Sequence, residues 1–278
     1  MKSKFFTKEN ITENIIAIKD ITGVYMYLVL GENKAILIDT GTGAGNIFEY
    51  VKSLTDLPIE VILTHGHCDH AGGAKFFETV YLPEEDFELV DIHASMARKI
   101  EYIHFSGGEN VAENEILGER LGSYIKLEDK QIFDLGNEQL EMIKLPGHTK
   151  GMTCVLFKKS RMILMGDGCN PATFIWDNES LSVKEYLENL YKFKSREDEY
   201  DTVLVSHGNP ICDKKILDGV IEVCKSTIEG NDDAIPYHFM DYKGLKIAKE
   251  IDPYTFQRID GGIGNIIYNE KKICTLSQ

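Results

Sequence analysis

Between an apolar run and a pair of glycines, the stretch Leu63-Thr-His-Gly-His-Cys-Asp-His-Ala-Gly-Gly73 places three imidazoles, a thiol and a carboxylate within six residues. An imidazole offers a neutral nitrogen and a carboxylate a hard oxygen. That combination suits Zn²⁺ or iron, whereas Mg²⁺ and Ca²⁺ sites are built from oxygens. Along extended chain His65 and His67 project the same way, while Asp69 and His70, beyond a bend, can face a second point. One tight loop can therefore serve two metals, and Gly66, Gly72 and Gly73 are expected to supply the backbone freedom for the bend. Further along stand His148 in PGHTKG, Asp167 in MGDG and His207 in SHG. Of the eight histidines, five sit within a residue or two of a strand end beside Gly or Asp, which core packing does not produce. Cys68 alternates away from its neighbouring ligand and reads as a small hydrophobe. His93 and His104 have no i,i+4 partner and read as structural or solvated.

The elements that must position these residues follow from periodicity. NIIAIKD, GVYMYLVLGE and KAILIDTG are rich in β-branched and aromatic residues, with Gly31-Glu32-Asn33 as a hairpin turn. NIFEYVKSL has helical spacing, and IEVILTH is an apolar strand that hands over directly to the His-rich stretch. Residues 84–122 read as mostly helical, broken at Gly107-Gly108, and form a helical insertion near the site. Strands return at SYIKLED, KQIFDLG, EQLEMIKLPG, MTCVLFKK and RMILMGDG, a second meander mirroring the first. Ser182 and Glu185 form a capping box ahead of VKEYLENLYKF, followed by the strand TVLVSHG and a helix after Asp213. Two meander-plus-helix halves suggest an α/β fold of two sheets face to face with helices outside, a four-layer αββα sandwich. No low-complexity linker divides the chain, so residues 1–278 read as one domain, with a C-terminal extension over about 231–278.

Composition sets the context. A chain of 278 residues with 43% hydrophobic content can bury a large core, and a formal charge of −15 repels phosphate backbones and anionic lipid, so neither nucleic acid nor membrane is expected as a partner. Six cysteines without a C-x-x-C pair point to reduced thiols and a cytoplasmic setting. No run approaches the length of a membrane span.

The series His65-x-His67-x-Asp69-His70, then His148, Asp167 and His207, resembles the metallo-β-lactamase-fold hydrolase superfamily in order and spacing across residues 23–210. The resemblance implies an αββα sandwich with a metal pair, two Zn²⁺ per chain, though iron or manganese would suit the same donors. It implies that one metal takes His65, His67 and His148, that the other takes Asp69, His70 and His207, and that Asp167 bridges them. A metal-bridging hydroxide would attack a carbonyl carbon, and Asp69 would carry the proton to the leaving group; Asp69 and Asp167 are thus the candidate catalytic residues. Esters, lactones, thioesters and amides all suit that chemistry. Many β-lactamases of this fold carry Cys where this chain has Asp167, and the Gly-Cys-Gly run usual in glyoxalase II enzymes and persulfide dioxygenases is here Asp167-Gly-Cys-Asn-Pro-Ala-Thr-Phe174. The expectation is a dinuclear metal-dependent hydrolase of a small acyl compound, of the glyoxalase II or lactonase-like branch. The alternatives are a mononuclear-iron oxygenase of the persulfide dioxygenase type, with His65, His148 and Asp167 as its triad, and a metal-dependent binding module. Tyr237, His238 and Arg258 in the aromatic-rich tail are candidate substrate contacts, and the surplus apolar residues of the insertion suit either a lid or a homodimer contact.

Overall fold

A computed structural model describes residues 3–176, 178–252 and 257–274. The chain divides into two compact units, residues 1–142, 157–160 and 206–210, and residues 143–156, 161–205 and 211–278.

The first unit is built on a seven-stranded sheet ordered β1-β2-β3-β4-β5-β6-β7. Its strands are β1 (Phe6–Asn10), β2 (Ile15–Asp20), β3 (Tyr25–Leu30), β4 (Ala35–Ile38), β5 (Ile59–Ile62), β6 (Val80–Leu82) and β7 (Ile125–Lys126). The pairs from β1 to β4 are antiparallel hairpins, and β4-β5-β6-β7 run parallel. Parallel pairing needs crossovers, and the short helices α1 (Ile47–Lys52) and α2 (Cys68–Ala71) supply the first two. Strand β1 was not legible because only Phe6 of its five residues is buried, so its polar pattern reads as loop. SYIKLED contributes β7 to this sheet rather than opening a second meander. In the insertion, α3 (Phe87–His93) and α4 (Met96–Phe105) are helical, and then the chain turns irregular to Gly122 apart from one short 3-10 turn. The expected helix over 84–122 is therefore confined to its first half, ending just ahead of Gly107, whose φ of +91° suits a residue without a side chain.

A six-stranded sheet is ordered β14-β13-β11-β10-β9-β8. Here β8 is Ile132–Asp134, β9 Gln139–Lys144, β10 Thr153–Phe157, β11 Met162–Leu164, β13 Thr202–Leu204 and β14 Ile211–Cys212. In the second unit the faces of β10, β11 and β13 pack with helices α5 (Val183–Lys194) and α6 (Ile216–Ile228) around Leu156, Ile163, Val203, Tyr186, Leu190 and Val220. Ser182 and Glu185 form the expected capping box at the start of α5. The strand β12 (Thr173–Ile175) was not foreseen. It pairs with β17 (Ile266–Asn269), which continues through β16 (Tyr242–Ile247) to β15 (Ile235–Phe239), a third sheet made largely by the tail. Ordering a tail so dense in Tyr, Phe and Ile buries Leu245, Ile247 and Ile267 with Trp176. Among the described residues, no helix is long and apolar enough to cross a membrane.

Candidate metal centre

Strand β5 ends at Ile62, and the chain passes through Leu63 and Thr64 into His65, His67 and α2, which carries Asp69 and His70. All four ligand candidates are buried. His65 Nε2 lies 3.2 Å from His67 Nδ1, so two ring nitrogens converge on one point. Asp69 Oδ2 lies 3.5 Å from His70 Nε2 and 3.4 Å from His207 Nε2, a second convergence in the same unit. Burial pushes the Asp69 carboxyl up, but the charge of His70 and the hydrogen bond from His207 outweigh it and hold it well below the usual carboxylate range. Asp69 is therefore an anion at neutral pH, ready to face a cation.

The glycines of the loop work differently from the sequence expectation. Neither Gly72 nor Gly73 adopts a positive φ, so backbone freedom is not what they provide. A Cβ on Gly72 would meet the Thr42 carbonyl oxygen at 2.4 Å, and one on Gly73 the Thr40 carbonyl oxygen at 2.2 Å. Their role is close approach, letting the α2 turn lie against the segment that follows β4.

That segment holds the residue sequence reasoning missed. Asp39, directly after β4, is buried and sits at φ +61°, a left-handed conformation that costs a non-glycine residue roughly 1 kcal/mol or more. The cost is offset by a full set of partners. Its Oδ1 accepts from the Thr64 amide at 2.8 Å, and its Oδ2 accepts from Thr64 Oγ1 at 2.9 Å and lies 2.8 Å from His70 Nδ1. Thr64 Oγ1 in turn lies 3.0 Å from His65 Nδ1. In the neutral ring, a carboxylate on the outer nitrogen of His70 fixes the tautomer and leaves Nε2 as the lone-pair atom toward the second convergence. The signal was present in the sequence as an Asp closing the apolar run AILI.

The insertion meets the loop side chain by side chain. Asp86 Oδ2 accepts from the Gly66 amide at 3.0 Å, and His93 stacks on His67 with ring centroids 4.7 Å apart. Tyr102 of α4 donates to Asp69 Oδ2 at 2.9 Å. Nothing in the helical pattern of the insertion singles these out. Cys68 is buried and its thiol is pushed up by burial, with the Asp69 charge adding, so it stays protonated as a small apolar group.

In the second unit, His148 Nε2 lies 3.7 Å from Asp167 Oδ2. His148 Nδ1 lies 2.8 Å from the Phe174 carbonyl of β12, which again fixes the tautomer and frees Nε2. The Ser180 hydroxyl donates to the His148 carbonyl at 2.7 Å, and Asn170 Nδ2 donates to Asp167 Oδ1 at 3.3 Å. Phe174 also belongs to an aromatic cluster with Trp176, Tyr237, Phe239 and Tyr242. Tyr237 is thus in that cluster, whereas alternation along β15 leaves His238 on the exposed face. Arg258 is paired with Asp260 at 2.5 Å and donates to the Gly264 carbonyl at 3.0 Å.

Within the first unit, then, the donor atoms of His65 and His67 converge, as do those of Asp69, His70 and His207, and within the second those of His148 and Asp167 approach each other. The donor set fits a transition-metal pair. Imidazole nitrogens dominate, two carboxylates accompany them, and the outer nitrogens of His65, His70 and His148 are already engaged.

The sequence profile described as Metallo-beta-lactamase superfamily matches residues 20–207. The acyl-coenzyme A thioesterase MBLAC2 of Homo sapiens is 26% identical over 162 residues, 51% of this chain and 57% of that protein, so the chain spans less than two thirds of that relative's length. Hydroxyacylglutathione hydrolase 1 of Vibrio vulnificus (strain YJ016) is 26% identical over 259 residues, 91% of this chain and 90% of that protein. Among solved structures, a metallo-beta-lactamase from Pontibacter korlensis superposes with a TM-score of 0.58 at 17% identity, over 78% of this chain and 97% of that one. The fold is thus the αββα arrangement of mixed sheets and helices expected from the sequence.

Proposed function

The chain belongs to the metallo-beta-lactamase superfamily, and from that premise we propose that it is a dinuclear metal-dependent hydrolase of small acyl compounds, with thioesters foremost among them. What supports the reading is the convergence, within the first unit, of His65 with His67 and of Asp69 with His70 and His207, together with the approach of His148 to Asp167 within the second. His65, His67 and His148 would hold one metal, and Asp69, His70 and His207 the other, with Asp167 shared. When bound, such a pair supplies a water whose pKa is lowered to about 7, and an electrophile for the substrate carbonyl.

The rest of the chemistry falls to the chain's own residues. To the Asp69 carboxylate, kept ionised by His70 and His207, we assign the role of taking a proton and passing it to the leaving group. Asp39, Thr64 and the Phe174 carbonyl hold the imidazoles in one tautomer, so little reorganisation is needed during turnover. Thioesters are favoured because both relatives named above are described as acting on them or on an acyl glutathione, and a thiolate leaves readily. Zinc is the metal proposed, from the nitrogen-rich donor set. Tyr237 and its aromatic neighbours beside the His148 tether are proposed as contacts for the acyl group. A reducing, cytoplasmic setting accompanies the reading, since none of the six cysteines is paired in a disulfide.

The test is metal analysis with a substrate panel of acyl-coenzyme A and acyl-glutathione thioesters, oxyesters and lactones. Two zinc ions per chain with hydrolysis fastest on thioesters is the expected result. One iron per chain with oxygen uptake would replace the reading by the oxygenase alternative.

A further inference from the structure

Among the described residues, Asp86, His93, Lys99 and Tyr102 of the insertion between β6 and β7 each meet the ligand-bearing loop or α2. Asp86 takes the Gly66 amide, and His93 stacks on His67. From α4, Tyr102 donates to Asp69 Oδ2 at 2.9 Å, and Lys99, one helical turn earlier on the same face, donates to the Gly72 carbonyl at 3.3 Å and to the Leu117 carbonyl. Asp69 lies within α2, and Gly72 caps it. Thus α4 grips α2 at a ligand side chain and at its C-terminal carbonyl. Lys99 is wholly buried, and burial pushes its ammonium down to about 8, with Glu119 opposing, so keeping it there has a desolvation cost that a solvent-facing lysine would not have. A helix whose only task was to shelter a cleft would not need a buried cation and a phenol aimed at the ligand loop.

We propose that Tyr102 is a positioning residue for Asp69, and that α4 thereby sets the affinity of the second metal position rather than serving only as a cover. The inference rests on the dinuclear reading above. Asp69 Oδ2 is the oxygen that His70 and His207 also approach, so it is the atom that must face a cation there. A carboxylate has two oxygens and a free torsion, and the Tyr102 hydroxyl selects one orientation. The ring of Tyr102 is only partly buried, so losing the hydroxyl alone leaves the packing of α4 largely in place.

The experiment compares wild type with Tyr102→Phe, each loaded with zinc, dialysed against a graded chelator series and assayed for zinc per chain, with metal-free melting as the fold control. The phenylalanine variant should release one of its two equivalents at about ten- to a hundred-fold lower chelator strength, keep the other at the wild-type strength, and melt like wild type when metal-free. Lys99→Met, measured the same way, should shift the same step in the same direction. Coincident release curves for wild type and Tyr102→Phe would overturn the proposal. A wild type that binds fewer than two zinc ions would overturn both this proposal and the dinuclear reading. Two zinc ions with the expected shift, but no acyl hydrolysis, would overturn the acyl substrate alone and leave the positioning role supported.

Discussion

The two sets of ligands are held in contrasting ways. In the first unit, His65, Asp69 and His70 are tied by ionised or hydroxylic side chains: Asp39 on His70 and Thr64, Thr64 on His65, Tyr102 on Asp69. In the second unit, His148 is tied by the Phe174 carbonyl and by Ser180 through its own backbone oxygen, and Asp167 by the Asn170 amide. Side-chain ties can be cut by single substitutions, while a carbonyl tie survives any change of side chain that keeps β12 in place. The ring nitrogens of His65 and His70 are thus open to mutation from outside the ligand list, whereas Nδ1 of His148 is not; Asp167, tied by the Asn170 side chain, stands between the two cases.

The largest effect is expected from the second set. Replacing the shared carboxylate, Asp167→Asn, should lower thioester hydrolysis by orders of magnitude and reduce metal content, while circular dichroism stays that of the wild type. Full activity with both metals retained would remove the bridging role.

Next comes Asp39→Ala in the first set. It strips partners from Thr64 and His70 together and leaves a strained backbone without its compensation, so we expect a stability loss of about 2–3 kcal/mol in urea unfolding and a 10- to 100-fold weaker metal site. An Asp39→Ala protein with wild-type metal affinity would erase the contrast between the two sets.

Gly73→Ala sharpens the comparison through the backbone. The added methyl would meet the Thr40 carbonyl at 2.2 Å, so the loop must shift, with a loss of about 1–3 kcal/mol and reduced metal content. If freedom rather than close approach were the reason for glycine here, alanine would be tolerated, since the φ of −93° suits it.

Smaller still should be Asn170→Ala, which removes one long hydrogen bond of 3.3 Å to Asp167 and is expected to lower turnover about tenfold at most, with metal content kept.

Much of this centre was legible in the residues themselves. The seven candidate side chains could be named because their order and spacing resemble a known family, and because neutral nitrogens with carboxylates suit a transition metal. Strands such as β2 and β3 followed from runs rich in β-branched and aromatic residues, and Ser182 with Glu185 announced α5. What stayed hidden has physical reasons. Strand β1 buries one side chain of five, so period-two patterning has nothing to report. Asp39 was passed over because a carboxylate after a strand is also an ordinary turn residue. Tyr102 sits amid Ile100 and Ile103 in a helix whose apolar content suggested cover, and its partner Asp69 is 33 residues away in sequence. Arg258 offers the converse lesson. Beside Asp260 in the sequence, its guanidinium is engaged by that carboxylate and the Gly264 carbonyl, so Arg258→Ala should loosen the tail more than it alters KM.

If the two ligand groups hold two metals as one hydrolytic centre, titrating metal-free protein with zinc while following hydrolysis of an acyl thioester at each equivalent will show it. Hydrolysis should stay low through the first equivalent, rise with the second and level off at two zinc ions per chain. Full activity reached at one metal, or no thioester hydrolysis at any zinc content, would contradict it.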